Sequence, residues 1–166
     1  MKFLNIEINQ KNYIKILCLC IALVLLIVAL YYMELMLPKK IKLDESTKVC
    51  SFEEEPLLVV HIDLLSPLEL MPGDNKIEIA GYAYLTDDEV FTVDCSYALR
   101  NKGNGQIYLL KSWHEKIINV PRAYPYAGIH TRFMTLGIEK GEYEICVLYR
   151  NNENDFFKST GIEIKI

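Results

Sequence analysis

The chain has 166 residues, with 18 Lys or Arg against 22 Asp or Glu, and a formal net charge of −4. An acidic balance gives no reason to expect nucleic-acid binding, which depends on cationic side chains that neutralise phosphates. Beyond a short N-terminal region the length leaves room for one domain with a single core, and it excludes two domains of ordinary size.

The first element is an uncharged apolar run of 18 residues, Ile16–Met33, which lies between Lys15 and Glu34. As a helix it rises about 27 Å, close to the ~30 Å hydrocarbon core of a bilayer. Eleven of its residues are Leu, Ile or Val, and together they favour membrane insertion by roughly 3 to 6 kcal/mol. We predict a cytosolic tail over 1–15 and a transmembrane helix over 16–37, with the lipid bilayer as a partner.

A buried core helix and a cleaved signal peptide are the alternatives for this run. Core helices are usually amphipathic, whereas this run is apolar on all sides. Signal peptides have shorter apolar regions that end in a small-x-small site, whereas this run ends in Tyr31-Tyr32-Met33-Glu34. We therefore expect an uncleaved single-pass anchor in the cell membrane. Lysines flank the run almost equally on both sides, so the positive-inside rule does not decide its orientation.

Residues 38–55 are predicted to form a juxtamembrane linker without a packed element. Lysines cluster at its start, and Glu53, Glu54 and Glu55 form an acidic run before Pro56. Solvation is the simplest interpretation of both charge runs. The domain proper is expected over 56–166.

Seven or eight short strands are predicted from residue 56 onward, with turns every 8–12 residues and no convincing helix. Alternation of apolar and polar side chains is clearest over Lys76–Leu85, and Asn101–Gly105 is the strongest hairpin signal. The other predicted strands are Leu57–Leu65, Val90–Arg100, Gln106–Trp113, Ile129–Ile138, Glu142–Arg150 and Phe156–Ile166. This rhythm is typical of an all-β, antiparallel β-sandwich, a fold common among surface proteins, so we expect the C-terminal domain to be extracytoplasmic.

The domain contains three cysteines, Cys50, Cys95 and Cys146, so at least one is unpaired within a monomer. Alternation places Cys95 on the apolar core face of its strand and Cys146 on the opposite face of its own. A disulfide in the core needs both thiols to point inward. We therefore predict that Cys95 and Cys146 do not form a bridge.

A local motif is more specific than the strand rhythm. Leu136, Gly141 and Tyr143 form an L-x4-G-x-Y string at the start of a predicted strand. It resembles the tyrosine corner of immunoglobulin-like and fibronectin type III-like sandwiches, in which a tyrosine hydroxyl bonds back to the chain. The chain more broadly resembles small single-pass, membrane-anchored bacterial proteins that carry such a domain. The resemblance implies an immunoglobulin-like sandwich, although the spacing from Tyr143 to Cys146 departs from the antibody pattern.

The candidate binding residues lie in and near the long segment Val120–Ile129. Arg122, Tyr124 and Tyr126 lie within it, between and beside two prolines, and Trp113 is close in sequence. Prolines lower the entropy lost on binding, and Tyr, Trp and Arg make productive contacts. We expect these residues to bind a ligand, with Trp113, or Tyr82 and Tyr84, as a stacking platform for a sugar ring. The alternative is that the aromatic residues pack against a second sheet or cover an edge strand.

The sequence contains none of the common motifs for catalysis or cofactor binding, such as a nucleophile elbow, a phosphate-binding loop, a dinucleotide fingerprint or a zinc-binding spacing. His61 and Asp63 share a strand face, but no third ligand lies nearby in sequence. We therefore predict no catalytic residue, metal or cofactor. The leading hypothesis is a non-enzymatic domain that binds a protein or glycan at the cell surface. The alternatives are an accessory subunit of a membrane complex in envelope assembly or transport, and an enzyme that uses His61 and Asp63.

Overall fold

The computed structural model describes residues 10–51, 58–67, 76–85, 94–116, 127–150 and 155–166. Within them, one helix and ten strands form two compact units, the first helical and the second built of strands. The elements are α1 Gln10–Met36, β1 Lys39–Ile41, β2 Lys48–Cys50, β3 Leu58–Pro67, β4 Lys76–Leu85, β5 Asp94–Asn101, β6 Ile107–Leu109, β7 Ser112–Glu115, β8 Gly128–Met134, β9 Glu142–Arg150 and β10 Asp155–Lys165. The prediction of a mostly β protein with one N-terminal apolar helix is confirmed.

The helix α1 is long and apolar enough to cross a membrane. Its apolar stretch, Tyr13–Met36, has 24 residues, and none of its most apolar window is buried within the structure. A helix of this length rises about 36 Å, more than the hydrocarbon core requires. The stretch includes nearly all of the predicted span 16–37 and begins three residues earlier.

The strands form two sheets. The six-stranded sheet has the order β1-β6-β5-β9-β10-β2, and the four-stranded sheet has the order β3-β4-β8-β7. Neighbouring strands are antiparallel, except that β2 and β10 are parallel. Side chains from both sheets share the main core, whose largest fully buried members include four tyrosines, Tyr97, Tyr108, Tyr143 and Tyr149. Burial of a large apolar side chain in this core, such as Phe133 or Leu99, stabilises the fold by about 1.5–3 kcal/mol.

The predicted strand Gln106–Trp113 is wrong as a single element. Its first part, β6, belongs to the six-stranded sheet, and its last part belongs to β7 in the four-stranded sheet. The chain changes sheets where Leu110 N–H donates to the Tyr97 carbonyl. Two residues later the Ser112 hydroxyl accepts from Tyr97 N–H at 3.0 Å. The Ser112 side chain thus accepts a backbone hydrogen bond that a carbonyl would accept in a regular strand pair. The pattern of apolar residues in the sequence does not predict this change of sheet.

The segment predicted as a linker over 38–55 instead contributes two edge strands. β1 and β2 lie at opposite edges of the six-stranded sheet, and residues 42–47 join them. Ile41 and Leu43 pack against an apolar cluster on the outer face of this sheet, which points away from the main core. That cluster consists of Ala98, Ile107, Cys146, Leu148 and Phe157. Residues 41–47, named the strap here, therefore cross the outer face of the six-stranded sheet.

Cys95 and Cys146 lie on opposite faces of this sheet, as the alternation predicts. Cys95 belongs to the main core, and Cys146 lies in the outer cluster beneath the strap. Both residues are buried, and none of Cys50, Cys95 and Cys146 forms a disulfide. The prediction that Cys95 and Cys146 do not form a bridge is confirmed.

Shortening Leu43 should expose Cys146 selectively. We expect Leu43→Ala to remove apolar contact from the strap and to speed alkylation of Cys146, while alkylation of Cys95 in the main core keeps its wild-type rate. Peptide mass mapping of iodoacetamide-treated protein measures both rates in one sample. Equal acceleration at the two thiols would instead indicate global unfolding, and no acceleration would show that the strap does not protect Cys146.

Gly81 is required where β3 and β4 come closest together. It pairs with Ile62, beside a β-bulge that separates Ile62 from Leu64. A Cβ at this position would overlap the His61 carbonyl oxygen and lie 2.8 Å from Ile62 Cα. Both obstacles are backbone atoms, which cannot rotate away, so only glycine fits.

We expect Gly81→Ala to lower the free energy of unfolding by about 1–3 kcal/mol, the usual cost of overpacking. The matched control is Gly103→Ala, whose added Cβ would meet only a side-chain atom, Asn101 Oδ1 at 3.3 Å, and no backbone atom. Thermal unfolding of both variants, followed by circular dichroism, gives the comparison. Equal midpoints for the two variants would contradict this account of the bulge.

Candidate functional site

Of the predicted binding residues, Trp113 is the one that the structure describes. Arg122, Tyr124 and Tyr126 lie outside the described residues. Trp113 lies on β7, the edge strand of the four-stranded sheet, with 41% of its surface exposed. It is therefore not part of the core, and the stacking-platform prediction stays open.

The register of three strands places four other side chains around Trp113. Trp113 pairs with His130 of β8, and Glu78 of β4 pairs with Arg132 of β8. Because alternate residues face the same side, these side chains and Glu115 share the outer face of the four-stranded sheet. We name Glu78, Trp113, Glu115, His130 and Arg132 the outer-face cluster.

Hydrogen bonds connect the whole cluster in one chain. Trp113 Nε1 donates to Glu115 Oε1 at 3.1 Å, and His130 Nδ1 lies 3.0 Å from the same oxygen. On its other side, His130 Nε2 lies 2.5 Å from Glu78 Oε1, which also accepts from Arg132 Nε at 2.8 Å. The Trp113 and His130 rings are in contact, with centroids 4.5 Å apart. The indole ring is thereby fixed on the surface by its neighbours.

The two carboxylates of the cluster differ in burial. The Glu78 side chain is 10% exposed and that of Glu115 is 53% exposed. Burial by itself would raise the pKa of Glu78, but hydrogen bonds from Arg132 and His130 outweigh it, and this pKa is lowered from 4.5. Hydrogen bonds from His130 and then Trp113 likewise lower the pKa of Glu115. Both groups are therefore ionised at neutral pH.

A second polar pair lies on the neighbouring strand β3. His61 Nε2 lies 3.2 Å from Asp63 Oδ1, and both side chains are more than half exposed. The His61 ring also contacts Tyr82 at 5.1 Å between centroids, and Tyr82 lies 6.1 Å from Tyr84. In the part of the chain that the structure describes, no group of three or more His, Cys, Asp or Glu side chains is arranged to hold a metal ion.

Alternation along the predicted strand Ile129–Ile138 places His130 and Arg132 on one face, but it does not give their partners. In sequence, Glu78 is only a polar member of the alternating strand Lys76–Leu85, and Glu115 follows the end of a predicted strand. The cluster depends on the β4–β8 and β7–β8 registers, which join strands distant in sequence. The outward position of Glu78 in Lys76–Leu85 was the one available signal.

Comparison with protein-family models, with curated proteins and with solved structures found no match for this chain.

The lowered pKa values predict that acid destabilises the fold through this cluster. The unfolded chain takes up these protons near pH 4.5, before the folded chain does. The stabilisation is therefore complete above that pH and is lost as the pH falls through the lower, folded values. We expect Glu78→Gln to lower the free energy of unfolding at pH 7 by about 1–3 kcal/mol, because a hydrogen bond between charged groups is lost.

The same variant should also lose less stability between pH 7 and pH 3 than the wild type. Glu45→Gln is the matched control, because Glu45 is exposed in the strap. Unfolding midpoints at the two pH values provide the measurement. An unchanged acid dependence in Glu78→Gln would show that the cluster does not carry this stabilisation.

Proposed function

We propose that this protein is a membrane-anchored, non-enzymatic domain that binds a protein or glycan at the cell surface. The observation that carries the proposal is Trp113, the one tryptophan of the chain, which is exposed yet held by Glu115 and His130. Tryptophan is enriched among residues that dominate binding energy, and a fixed ring loses little entropy on binding. Helix α1 supports the anchor, since its length and apolarity suit a bilayer.

The strand order supports an immunoglobulin-like assignment for the domain. The order β3-β4-β8-β7 has the form A-B-E-D, and β6-β5-β9-β10 has the form C′-C-F-G. The Tyr143 hydroxyl donates to the Glu139 carbonyl at 2.6 Å, the backward bond that the tyrosine-corner resemblance implies. Leu136, by contrast, is 61% exposed and does not pack as a core member of that motif. We propose the immunoglobulin-like class on the strand order and the Tyr143 bond together.

The proposed binding surface combines the outer-face cluster with the neighbouring segment 120–129. Segment 117–126 follows Lys116 directly, where the described stretch that contains Trp113 ends. Ala127 is the first described residue after this segment. Ala127 is buried, and its carbonyl accepts from Ala83 N–H at 3.0 Å. The described residues on either side, Glu115 of β7 and Ala127, thus belong to or bond with the four-stranded sheet. Arg122, Tyr124 and Tyr126 are proposed to act with Trp113 on this basis.

A binding assay with matched variants tests this function. Full-length protein in nanodiscs is applied to a defined glycan array and to intact cells of the source organism. We expect Trp113→Ala and the double variant Tyr124→Ala/Tyr126→Ala to abolish binding while their melting temperatures stay near that of the wild type. Leu136→Ala, which shortens another exposed apolar side chain, should bind as the wild type does.

Three results would contradict the proposal. The wild type could fail to bind both probes, or both sets of variants could bind unchanged. A large loss of stability in Trp113→Ala would show that the ring serves packing instead. Protease treatment of intact cells belongs to the same test, because the proposed orientation requires that it removes the C-terminus.

A further inference from the structure

His130 lies at the centre of the outer-face cluster, where its two ring nitrogens face two different carboxylates. Nε2 lies 2.5 Å from Glu78 Oε1, and Nδ1 lies 3.0 Å from Glu115 Oε1. The ring is 14% exposed and is in contact with Trp113. The charged groups placed against it are Glu78 from β4, Glu115 from β7 and Arg132 from its own strand.

This geometry requires a particular protonation state. A neutral imidazole carries one N–H and donates one hydrogen bond, whereas the imidazolium carries two. Both carboxylates are ionised acceptors, so the arrangement is complete only when the His130 ring is protonated. Histidine is the side chain whose charge changes most readily between about pH 5 and 8.

The two links of His130 do not break with equal ease. Glu78 is buried, so losing a donor there would leave a charged oxygen without compensation from water. Glu115 is half exposed and can turn to solvent at little cost. Loss of one proton therefore leaves the remaining N–H on Glu78 and breaks the link to Glu115, which also holds the Trp113 indole.

We propose that His130 is a proton-controlled latch for Trp113. The protonated ring holds Glu115 and Trp113 against the outer face of the four-stranded sheet, and the neutral ring releases them. The latch itself is a property of the free protein. Its regulatory role, that partner capture through Trp113 changes with pH, rests on the proposed binding function.

The composition of the chain makes the test direct, because it contains one tryptophan and three histidines. Tryptophan fluorescence of the full chain in detergent micelles reports on Trp113 alone, and protonated imidazole quenches an indole that it contacts. Between pH 5 and 8, we expect the intensity to rise and the emission maximum to shift to the red as Trp113 is released. His130→Gln should lose this transition, whereas His61→Gln and His114→Gln should keep it.

A second variant preserves the test if His130→Gln does not fold. Glu115→Gln keeps an acceptor for the indole but removes the charge that attracts the imidazolium. Its substituted side chain is exposed, so the fold is not at risk. We expect its emission at pH 5 to be red-shifted already, close to that of the wild type at pH 8.

Several outcomes would overturn the latch. The wild type could show no transition, or the transition could persist in His130→Gln. An intensity change at a constant emission maximum would mean that His130 titrates while Trp113 stays in place. An unshifted Glu115→Gln spectrum at pH 5 would remove Glu115 from the mechanism. No binding partner is needed for these measurements, so their failure is distinct from failure to bind glycans or cells.

Discussion

The centre of the six-stranded sheet is apolar on both faces, and the rest of the strand unit is arranged around that constraint. Along β9, Ile145 and Val147 point into the main core, while Cys146 and Leu148, which alternate with them, point outward, and all four are buried. A strand apolar on both sides needs a cover on both sides. The four-stranded sheet covers one face. The strap covers the other, so residues that follow closely after helix α1 in sequence are part of the β domain.

The four-stranded sheet differs from the six-stranded sheet, because its outer face carries polar side chains and needs no cover. Its central strand β4 alternates Ile77, Ile79 and Leu85 on the inner side with Glu78 and Tyr82 on the outer side. A charged network covers part of this face, and it is more enclosed than a surface network usually is. Ion pairs at an exposed surface contribute little. Glu78, however, is buried, so losing a hydrogen bond there would cost free energy that water could not compensate. Glu115 is half exposed, so its hydrogen bonds are easier to break than those of Glu78.

Much of the fold could be predicted because apolar and polar side chains alternate with a period of two residues along its strands. The bounds of Lys76–Leu85 and Glu142–Arg150 agree with the structure at both ends. In each, one side meets the core, and the alternation expresses that contact directly. The opposite faces of Cys95 and Cys146 could be predicted for the same reason.

What sequence reasoning missed depends on which strands become neighbours. In the strap, Ile41 and Leu43 are the two side chains that pack against the outer cluster, and polar and charged residues surround them, so its composition is that of a linker. The outer-face cluster joins Glu78 and Glu115 through His130, and no local pattern encodes a register between strands so distant in sequence. The hydrogen bonds of this cluster form only because β4, β8 and β7 are neighbours in one sheet.

The strap also has a consequence for biogenesis. Strand β2 comes early in the domain, but it pairs with β10, which follows it by about a hundred residues. Until β10 has been synthesised, β2 lacks this neighbour, and Phe157 is not yet present in the cluster that the strap covers. Pairings between distant segments slow folding and prolong the exposure of apolar surface. Helix α1 and the strap are therefore synthesised well before the β domain can close, and apolar surface of the outer cluster is exposed during that interval.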